Sequence, residues 1–520
     1  MINKKLTWTS GLLMVIILIY GCTDLSVDNH LNPDTEEALA NIEDIEALVG
    51  NQFRQWVQGA QSRGPNDRLV LMGLEMTNGF SFVSDFLKIP QHQFDNSASY
   101  QWRTVITTPW SNLYTAISSS NDGLAATDLR GLTLETESDT QRMRAFAKFI
   151  QGMSYGFLAN HFDQAFLVDE TVDLEEDLLD LQPYDEVLAF ALEKLEEART
   201  IAQSNSFTLP SEWIPGNALS SEEFIKLINS YEARYILQNA RTVDERNDIN
   251  WQRIRELAEN GIEEDFIVQA DGPVWSFATG ILQGSVFRAS YYLIGRTDES
   301  GNFDEWRTTP PADRREFRLQ TQDLRVAGPE DVECDLHRTD SDEICEAGIR
   351  APGTDFRWEG SSPWPLANGG WYGSEYFYYR SNEAWENGGV GPVPYMRKAE
   401  MDLYIAEALL RASEPAVDPD AVELINNTRV GRGGLEPISV TDTFDDVWNA
   451  KRYEFDIETT ASGPGLAYYH KRGLGHLRGK DWGGLIEGTP LHLPVPAEEL
   501  DLLELPHYTF GGVGGDWAAP

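Results

Sequence analysis

The sequence predicts a mainly α protein, in which a curved array of helical hairpins carries a loop-rich, mixed α/β face. Apolar residues recur with helical periodicity from about residue 46 to residue 265 and again from residue 395 onward. The intervening stretch is rich in Gly, Pro and aromatic residues and contains short strand-like runs. Five segments are therefore predicted: a signal peptide at 1–21, a tether at 22–45, a helical-hairpin region at 46–265, an irregular region at 266–394 and C-terminal helices at 395–520.

The composition indicates a large and strongly acidic globular protein. The 520 residues include 41 Lys and Arg against 84 Asp and Glu, a formal net charge of −43 at pH 7. Hydrophobic residues make up 41% and aromatic residues 11%, which is enough for a packed core and excludes a disordered chain. Because the negative charge repels phosphate groups, nucleic acids and anionic membrane surfaces are poor partners.

The N-terminus has the pattern of an export signal. Lys4 and Lys5 precede an apolar run at residues 11–20, which is followed by Gly21 and Cys22. A helix of that length spans about 15 Å, half of the hydrocarbon thickness of a bilayer, so it does not predict a membrane span. The small residue before Cys22 resembles a bacterial lipobox and predicts a lipid anchor on that cysteine. In the alternative, an ordinary signal is cleaved and Cys22 remains in the mature chain.

The two other cysteines favour a disulfide. Cys334 and Cys345 form an even pair in an exported protein, and a bridge between them would close a short loop. Two buried, unpaired thiols are the alternative. The surrounding acidic residues could hold calcium, but the spacing of an EF-hand is absent and a solvated acidic loop is the favoured interpretation.

Helix-start signals occur at two places in the first half of the chain. Pro183, followed by Asp185 and Glu186, predicts the first turn of an amphipathic helix whose acids lie at the positive end of the helix dipole. Ser220 and Glu223 have the spacing of a capping box and predict the start of another helix.

Small residues alternate with aromatic residues between positions 142 and 162. Gly152 and Gly156 lie on such a stretch, and small residues at this spacing allow helices to approach closely. Paired helices with small and aromatic residues at recurring positions predict degenerate tetratricopeptide-like hairpins, although no strict 34-residue period is present. Helical periodicity returns at 395–413, 418–430 and 443–458.

Motifs along most of the chain resemble the SusD/RagB family of surface nutrient-binding lipoproteins. The strongest motifs, which agree in order and spacing, are MRKAE at 396–400, AEALLR at 406–411, INNTR at 425–429 and GGL at 433–435. Further similarities are LSVD at 25–28, WSNLYTAI at 110–117, HFDQAFLV at 161–168 and LPVP at 493–496. The segment TTASGPG at 459–465 departs from the family, which has a compact turn there.

The resemblance implies a SusD-like fold and a function in nutrient uptake. By this resemblance, the protein would be lipid-anchored in a Bacteroidetes-type outer membrane and would face the cell exterior. It would capture a glycan, an oligo- or polysaccharide, and deliver it to a SusC-like TonB-dependent transporter barrel. Family members share their fold far more than their binding residues, so a peptide ligand stays open. A structural lid of the barrel that does not contact substrate is a further alternative.

The sequence contains no complete Walker A or HExxH motif. Residues 475–480 lack the spacing and the hydroxyl of a Walker A motif, no HExxH occurs, and residues 360–364 lack the closing glycine of a nucleophile elbow. A glycosidase needs only two carboxylates, so a surface glycoside hydrolase remains an alternative. We predict a binding protein that is not an enzyme and uses no metal or cofactor.

Aromatic residues mark the predicted ligand-binding surface. Residues 351–395 contain 11 aromatic residues among glycines and prolines, and flat rings suit the faces of sugars or peptides. For any single ring, packing in a core is the alternative interpretation. The candidate ligand-binding residues in this window are Trp358, Trp371 and Tyr372. The resemblance also implies a contribution from a second cluster, with Phe80, Phe82 and Trp102, and from the middle region, with Trp275, where Phe277 also lies.

Overall fold

The fold was analysed in a computed structural model. It describes residues 41–78, 95–100, 102–173, 179–310, 313–328, 351–360, 373–478, 483–485 and 489–511. About 53% of these residues are helical and the strands are few and short, which confirms the predicted mainly α fold. The predicted signal peptide, the Cys22 anchor and the Cys334–Cys345 disulfide lie outside the described residues.

The first half of the chain consists of helices that pack on one another in sequence order. The long helix α5 is central, because α4 and α6 both pack against it. The elements are α1 (Ile42–Gly50), α2 (Gln52–Ala60), α3 (Arg63–Met72), β1 (Met76–Thr77), α4 (Thr104–Leu124), α5 (Glu137–His161), β2 (Gln164–Phe166), β3 (Leu181–Pro183), α6 (Tyr184–Ser204), α7 (Ser221–Asn239), α8 (Val243–Asn247) and α9 (Trp251–Glu259).

The close approach of helices that the small residues predict is confirmed around α5. A Cβ atom added at Gly156 would lie 2.4 Å from the ring of Tyr235 on α7, and one added at Gly152 would lie 2.6 Å from Leu195 on α6. The capping box at the start of α7 is also confirmed. The Ser220 hydroxyl accepts from the Glu223 N–H at 3.3 Å, and the Glu223 carboxylate accepts from the Ser220 N–H at 2.8 Å.

Short strands and short helices follow as far as residue 396. The strands pair antiparallel in two-stranded sheets, β1 with β5, β2 with β3, β4 with β8 and β6 with β7. The elements are β4 (Phe266–Asp271), α10 (Pro273–Ala278), β5 (Arg288–Ala289), α11 (Tyr291–Ile294), α12 (Asn302–Thr308), β6 (Phe356–Trp358), β7 (Tyr376–Tyr378), α13 (Glu383–Glu386) and β8 (Val390–Met396).

The C-terminal helices lie where the periodicity predicts them. They are α14 (Lys398–Ser413), α15 (Pro419–Arg429), α16 (Phe444–Glu458), α17 (Leu466–Gly473) and α18 (Ala497–Leu502). Among the described residues, no helix combines the length and the apolar character that crossing a bilayer requires.

Buried ion pairs join these C-terminal helices to the rest of the core. Glu400 accepts from Arg234 of α7 through both of its carboxylate oxygens, at 2.7 and 2.5 Å. Glu407 is paired in the same way with Arg246, and Lys451 donates to it as well. The acids at positions 400 and 407 belong to the MRKAE and AEALLR motifs, so these motifs carry structural charge pairs.

The segment that departs from the family is attached to the core. The Ala461 N–H donates to the Glu75 carboxylate at 2.7 Å, and Arg234 donates to the Ser462 carbonyl oxygen at 3.3 Å. Residues 461 and 462 are therefore bonded to two separate parts of the first half of the chain.

Candidate functional site

The aromatic residues predicted to bind ligand lie in different environments. Trp102 is half-buried and lines a surface pocket. Trp358 is half-buried in β6, where the Arg318 guanidinium lies 4.9 Å from its ring centre. Trp371, Tyr372, Phe80 and Phe82 lie outside the described residues.

Trp275 is a core residue, which corrects the prediction that its ring contacts a ligand. It has 0% exposure, and its indole N–H donates to the Tyr395 hydroxyl at 3.2 Å. Two positions along the same short helix α10, Phe277 is 58% exposed. Because successive helical residues turn by about 100°, residues two apart point to nearly opposite sides. The aromatic pair therefore places one ring in the core and the other on the surface.

Phe277 and Trp102 line the same pocket, which has a volume of about 750 Å³. Its walls come from the end of α2, the first turns of α3 and α4, and α10. Gly64 permits the contact of α3 with α4, because a Cβ atom there would lie 2.6 Å from the Thr104 carbonyl oxygen. The lining residues are Gln58, Ser62, Arg63, Gly64, Asp67, Arg68, Trp102, Thr104, Thr108, Asn112, Pro273, Val274 and Phe277.

One wall of the pocket carries a buried carboxylate. Asp67 is 3% exposed, and its Oδ1 accepts no hydrogen bond from the described residues. Its Oδ2 lies 3.6 Å from Arg63 Nε and 3.9 Å from Arg68 Nη1, beyond ordinary hydrogen-bond distance. Burial raises the pKa of Asp67 to about 6, although both arginines act to lower it. This carboxyl group therefore changes its charge near neutral pH.

The two arginines differ in how they are held. The Arg68 guanidinium lies 5.2 Å from the Trp102 ring centre and donates to the Arg63 carbonyl oxygen at 3.2 Å. Such a cation–π contact fixes the indole in place. The Arg63 side chain is 41% exposed, and it makes a long contact of 3.4 Å to Gln283. Arg63 is therefore the more accessible cation of the pocket.

This arrangement suits the binding of a sugar. Two aromatic rings can pack on the C–H face of a pyranose, while the polar lining can bond its hydroxyl groups. Among the described lining residues Asp67 is the one carboxylate, whereas the glycosidase mechanism uses two. No cluster of His, Cys, Asp and Glu suited to a metal ion occurs in the part of the chain that the structure describes.

A second pocket is polar and lacks aromatic walls. It has a volume of about 650 Å³ and lies between α6, α7 and α9, with Arg199, Lys226 and Arg253 among its lining residues. Arg199 is already bonded there to Asn229 and Glu232, each at 2.7 Å. The pocket with Trp102 and Phe277 is therefore the stronger candidate for a sugar.

Sequence reasoning did not identify Arg63 or Asp67. They lie one helical turn apart on α3, but the stretch has no spacing that distinguishes it from an ordinary helix surface. The available signal was the sequence RGPND at 63–67, in which Gly and Pro begin a helix beside charged residues. That signal marks a helix start and gives no indication of a pocket.

Solved structures of SusD-like proteins are similar to this chain. A SusD superfamily protein from Bacteroides thetaiotaomicron aligns with a TM-score of 0.55 at 11% identity, over 89% of this chain and 98% of that chain. A SusD-like protein from Bacteroides fragilis aligns with a TM-score of 0.52 at 15% identity, over 92% and 98%. A SusD-like carbohydrate-binding protein from Bacteroides vulgatus aligns with a TM-score of 0.50 at 15% identity, over 82% of each chain.

Comparison at the level of sequence gives no match. No family model matches the chain, and no curated protein does. The likeness therefore rests on three-dimensional structure, and it extends over most of this chain and nearly the whole length of two of the structures compared. The chain therefore has a SusD-like fold, which is the fold that the motifs of the C-terminal helices predict.

Proposed function

We propose that this chain is a cell-surface nutrient-binding protein of the SusD/RagB type and that it binds a glycan in the pocket of Trp102 and Phe277. The observation that carries the proposal is an exposed aromatic ring and a half-buried one beside polar side chains in one pocket. A structure with the same fold is described as carbohydrate-binding, which supports this class of ligand.

In this proposal the two rings and the polar lining have separate roles. Trp102, held by Arg68, offers a fixed flat face, and Phe277 on the opposite helix α10 offers an exposed one. Exposed Gln58 is available to bond sugar hydroxyl groups. The ligand is bound without covalent chemistry and is handed on unchanged. A peptide could pack on the same rings, and direct competition between the two ligand classes would decide between them.

The proposal includes a transporter partner and a lipid anchor. The protein would deliver its glycan to a SusC-like TonB-dependent barrel and would be held at the outer membrane through Cys22. The support is the SusD-like fold together with the lipobox-like sequence before Cys22. For the anchor, we expect Cys22→Ser to move the protein into the aqueous phase of a detergent extraction. Unchanged membrane association would contradict the anchor.

Binding is tested at Phe277, the ring of the pocket that contributes less to the stability of the fold because it is exposed. Because Phe277 is 58% exposed, we expect Phe277→Ala to keep the melting temperature and to weaken glycan binding by about 1–3 kcal/mol, five- to 150-fold in Kd. The matched control is Leu129→Ala, which removes a 63% exposed apolar side chain outside the pocket. The readout is calorimetry with a panel of plant and microbial oligosaccharides, together with chromatography for hydrolysis products.

Three results would contradict the proposal. Full affinity in Phe277→Ala, or an equal loss in Leu129→Ala, would show that the pocket is not the binding site. Release of shorter sugars from the panel would show that the protein is an enzyme.

A further inference from the structure

We propose that this pocket selects acidic glycans, with the carboxylate of a uronic acid residue paired with Arg63 while Trp102 and Phe277 pack on the sugar rings. The inference rests on the proposed function, because it specifies the ligand class of the same site. It is carried by the charge of the pocket wall and by the loose pairing of Arg63.

The pocket has the opposite sign of charge to the chain as a whole. The protein carries a formal charge of −43, which disfavours the approach of an anionic glycan to most of its surface. The described lining of the pocket, in contrast, holds two arginines and one aspartate. An anionic sugar therefore meets a locally cationic wall in this pocket, next to the aromatic rings that bind its apolar face.

Arg63 has the geometry of a group available to a ligand. Its Nη2 reaches Gln283 at 3.4 Å and its Nε lies 3.6 Å from Asp67. The core pairs Arg234–Glu400 and Arg411–Glu407 are shorter, at 2.5 and 3.1 Å. A guanidinium presents several N–H donors that match both oxygens of a carboxylate. A bidentate pair with a uronate would thus form without breaking a short contact.

Asp67 makes this selection sensitive to pH. The carboxyl group has a pKa of about 6, raised by burial. Above that pH its negative charge offsets one arginine and repels a second carboxylate. Below that pH the neutral Asp67 no longer repels the carboxylate of the ligand, so acidic glycans bind more tightly as the pH falls through about 6.

Among the described residues, the charged groups that act on the pKa of Asp67 lie on its own helix. Arg63 and Arg68 are those groups, and among the described lining residues the other elements contribute uncharged side chains. These are Gln58 from α2, Trp102, Thr104, Thr108 and Asn112 from α4 and the residues before it, and Pro273, Val274 and Phe277 from α10.

The experiment compares each acidic oligosaccharide with its carboxyl-reduced, neutral counterpart. The set consists of oligogalacturonides, oligoglucuronides and oligomannuronates, measured by calorimetry on the mature protein. We expect at least one acidic member to bind about tenfold or more tightly than its neutral counterpart. We also expect Arg63→Gln to abolish that ratio, because it weakens binding of the acidic form more than binding of the neutral form.

A matched arginine outside the pocket provides the control. Arg103 is 43% exposed, close to the 41% of Arg63, but it pairs with Glu498 at 3.2 Å and does not line the pocket. Arg103→Gln removes the same charge from the chain, so we expect it to keep the preference for the acidic form. If both variants lost the preference for the acidic form equally, the preference would come from the net charge of the chain, and the role of Arg63 would be overturned.

Proton uptake gives a readout that a merely structural role of Asp67 would not change. Since a bound carboxylate disfavours ionised Asp67, binding near pH 6 should take up a proton, detected as a binding heat that depends on the buffer's ionisation enthalpy. Asp67→Asn should remove this uptake and should bind the acidic ligand equally well on both sides of pH 6. Uptake that persists in Asp67→Asn would overturn the role of this residue.

The outcomes separate this inference from the function on which it rests. If neutral forms bind as tightly as their acidic counterparts throughout the set, the preference is wrong and the glycan-binding function stands. If neither the acidic nor the neutral forms bind, and the oligosaccharide panel gives no binding either, both proposals fail.

Discussion

The C-terminal helices and the pocket both place arginines beside carboxylates, but they hold these charges differently. In the C-terminal region Glu407 is fully buried and accepts from Arg246 at 2.9 Å and from Arg411 at 3.1 Å. In the pocket, Asp67 and Arg63 remain 3.6 Å apart. Short, complete pairing leaves no capacity for a ligand, whereas long and incomplete pairing does. The comparison thus separates charges that specify the fold from charges that are available for binding.

The pKa values of Glu407 and Asp67 differ in the same way. Burial alone would raise the pKa of Glu407, but Arg246, Lys451 and Arg411 hold it well below its usual value. In the pocket, burial outweighs the arginines and raises the pKa of Asp67 to about 6. Glu407 is therefore held in its charged form, while Asp67 in the pocket titrates within the physiological range.

The largest expected effect comes from breaking a complete pair. Glu407→Gln leaves buried cations without their anion, so we expect the free energy of unfolding to fall by about 3–5 kcal/mol. Removing the loosely held cation with Arg63→Gln should change it by less than about 0.5 kcal/mol. Urea unfolding followed by tryptophan fluorescence measures both. Equal losses in the two variants would contradict the division.

The next effect concerns pH, where the stability contributions of Glu458 and Asp67 should have opposite signs. Burial acts to raise the pKa of Glu458, but Arg325, Arg432 and Arg380 lower it from 4.5 to about 2. Its stabilising contribution, about 3 kcal/mol, is present above pH 4.5 and is lost as the pH falls towards 2.

The pKa of Asp67 is raised from 3.8 to about 6, so between these pH values the folded state holds a proton that the unfolded state has lost. Stability therefore decreases as the pH rises from 3.8 to 6, also by about 3 kcal/mol.

Variants assign each slope to its residue. Relative to wild type, Asp67→Asn should gain stability as the pH rises from 3.8 to 6, because it has no charge to bury. Glu458→Gln should be less stable than wild type at higher pH, and this difference in the free energy of unfolding should shrink as the pH falls below 4.5. Denaturant titrations across this range give the free energies. Parallel curves for all three proteins would show that neither carboxyl group controls the pH dependence.

The sequence predicts the framework better than the pocket for a physical reason. Features such as the Ser220–Glu223 box and the close contacts at Gly152 are local or periodic, so spacing alone identifies them. The pocket is assembled from α2, α3, α4 and α10, and α2 ends at Ala60 whereas α10 begins at Pro273. Burial then decides the role of each ring. The prediction that Trp275 contacts a ligand is wrong because, of the two aromatic residues on α10, Trp275 lies in the core and Phe277 lies on the surface.

The smallest expected effect tests the tight packing of the helical framework against the looser surroundings of the pocket. A Cβ atom at Gly156 would lie 2.4 Å from the Tyr235 ring, which cannot easily move because its hydroxyl donates to the Met153 carbonyl oxygen at 2.9 Å. Overpacking of this kind costs about 1–3 kcal/mol, and the better helix propensity of Ala offsets up to about 1 kcal/mol. We therefore expect Gly156→Ala to lower the free energy of unfolding by about 1–2 kcal/mol.

The control for Gly156 is Gly272, which lies directly before α10 at the edge of the pocket. Gly272 has an extended backbone that any residue adopts, and a Cβ atom there would meet no described atom within 4 Å. Gly272→Ala should thus leave the free energy of unfolding within about 0.5 kcal/mol of wild type. Urea unfolding measures both variants under the same conditions. A loss in Gly272→Ala as large as in Gly156→Ala would mean that the pocket's surroundings are packed as tightly as the helices, and that a ligand would have to displace protein atoms in order to bind.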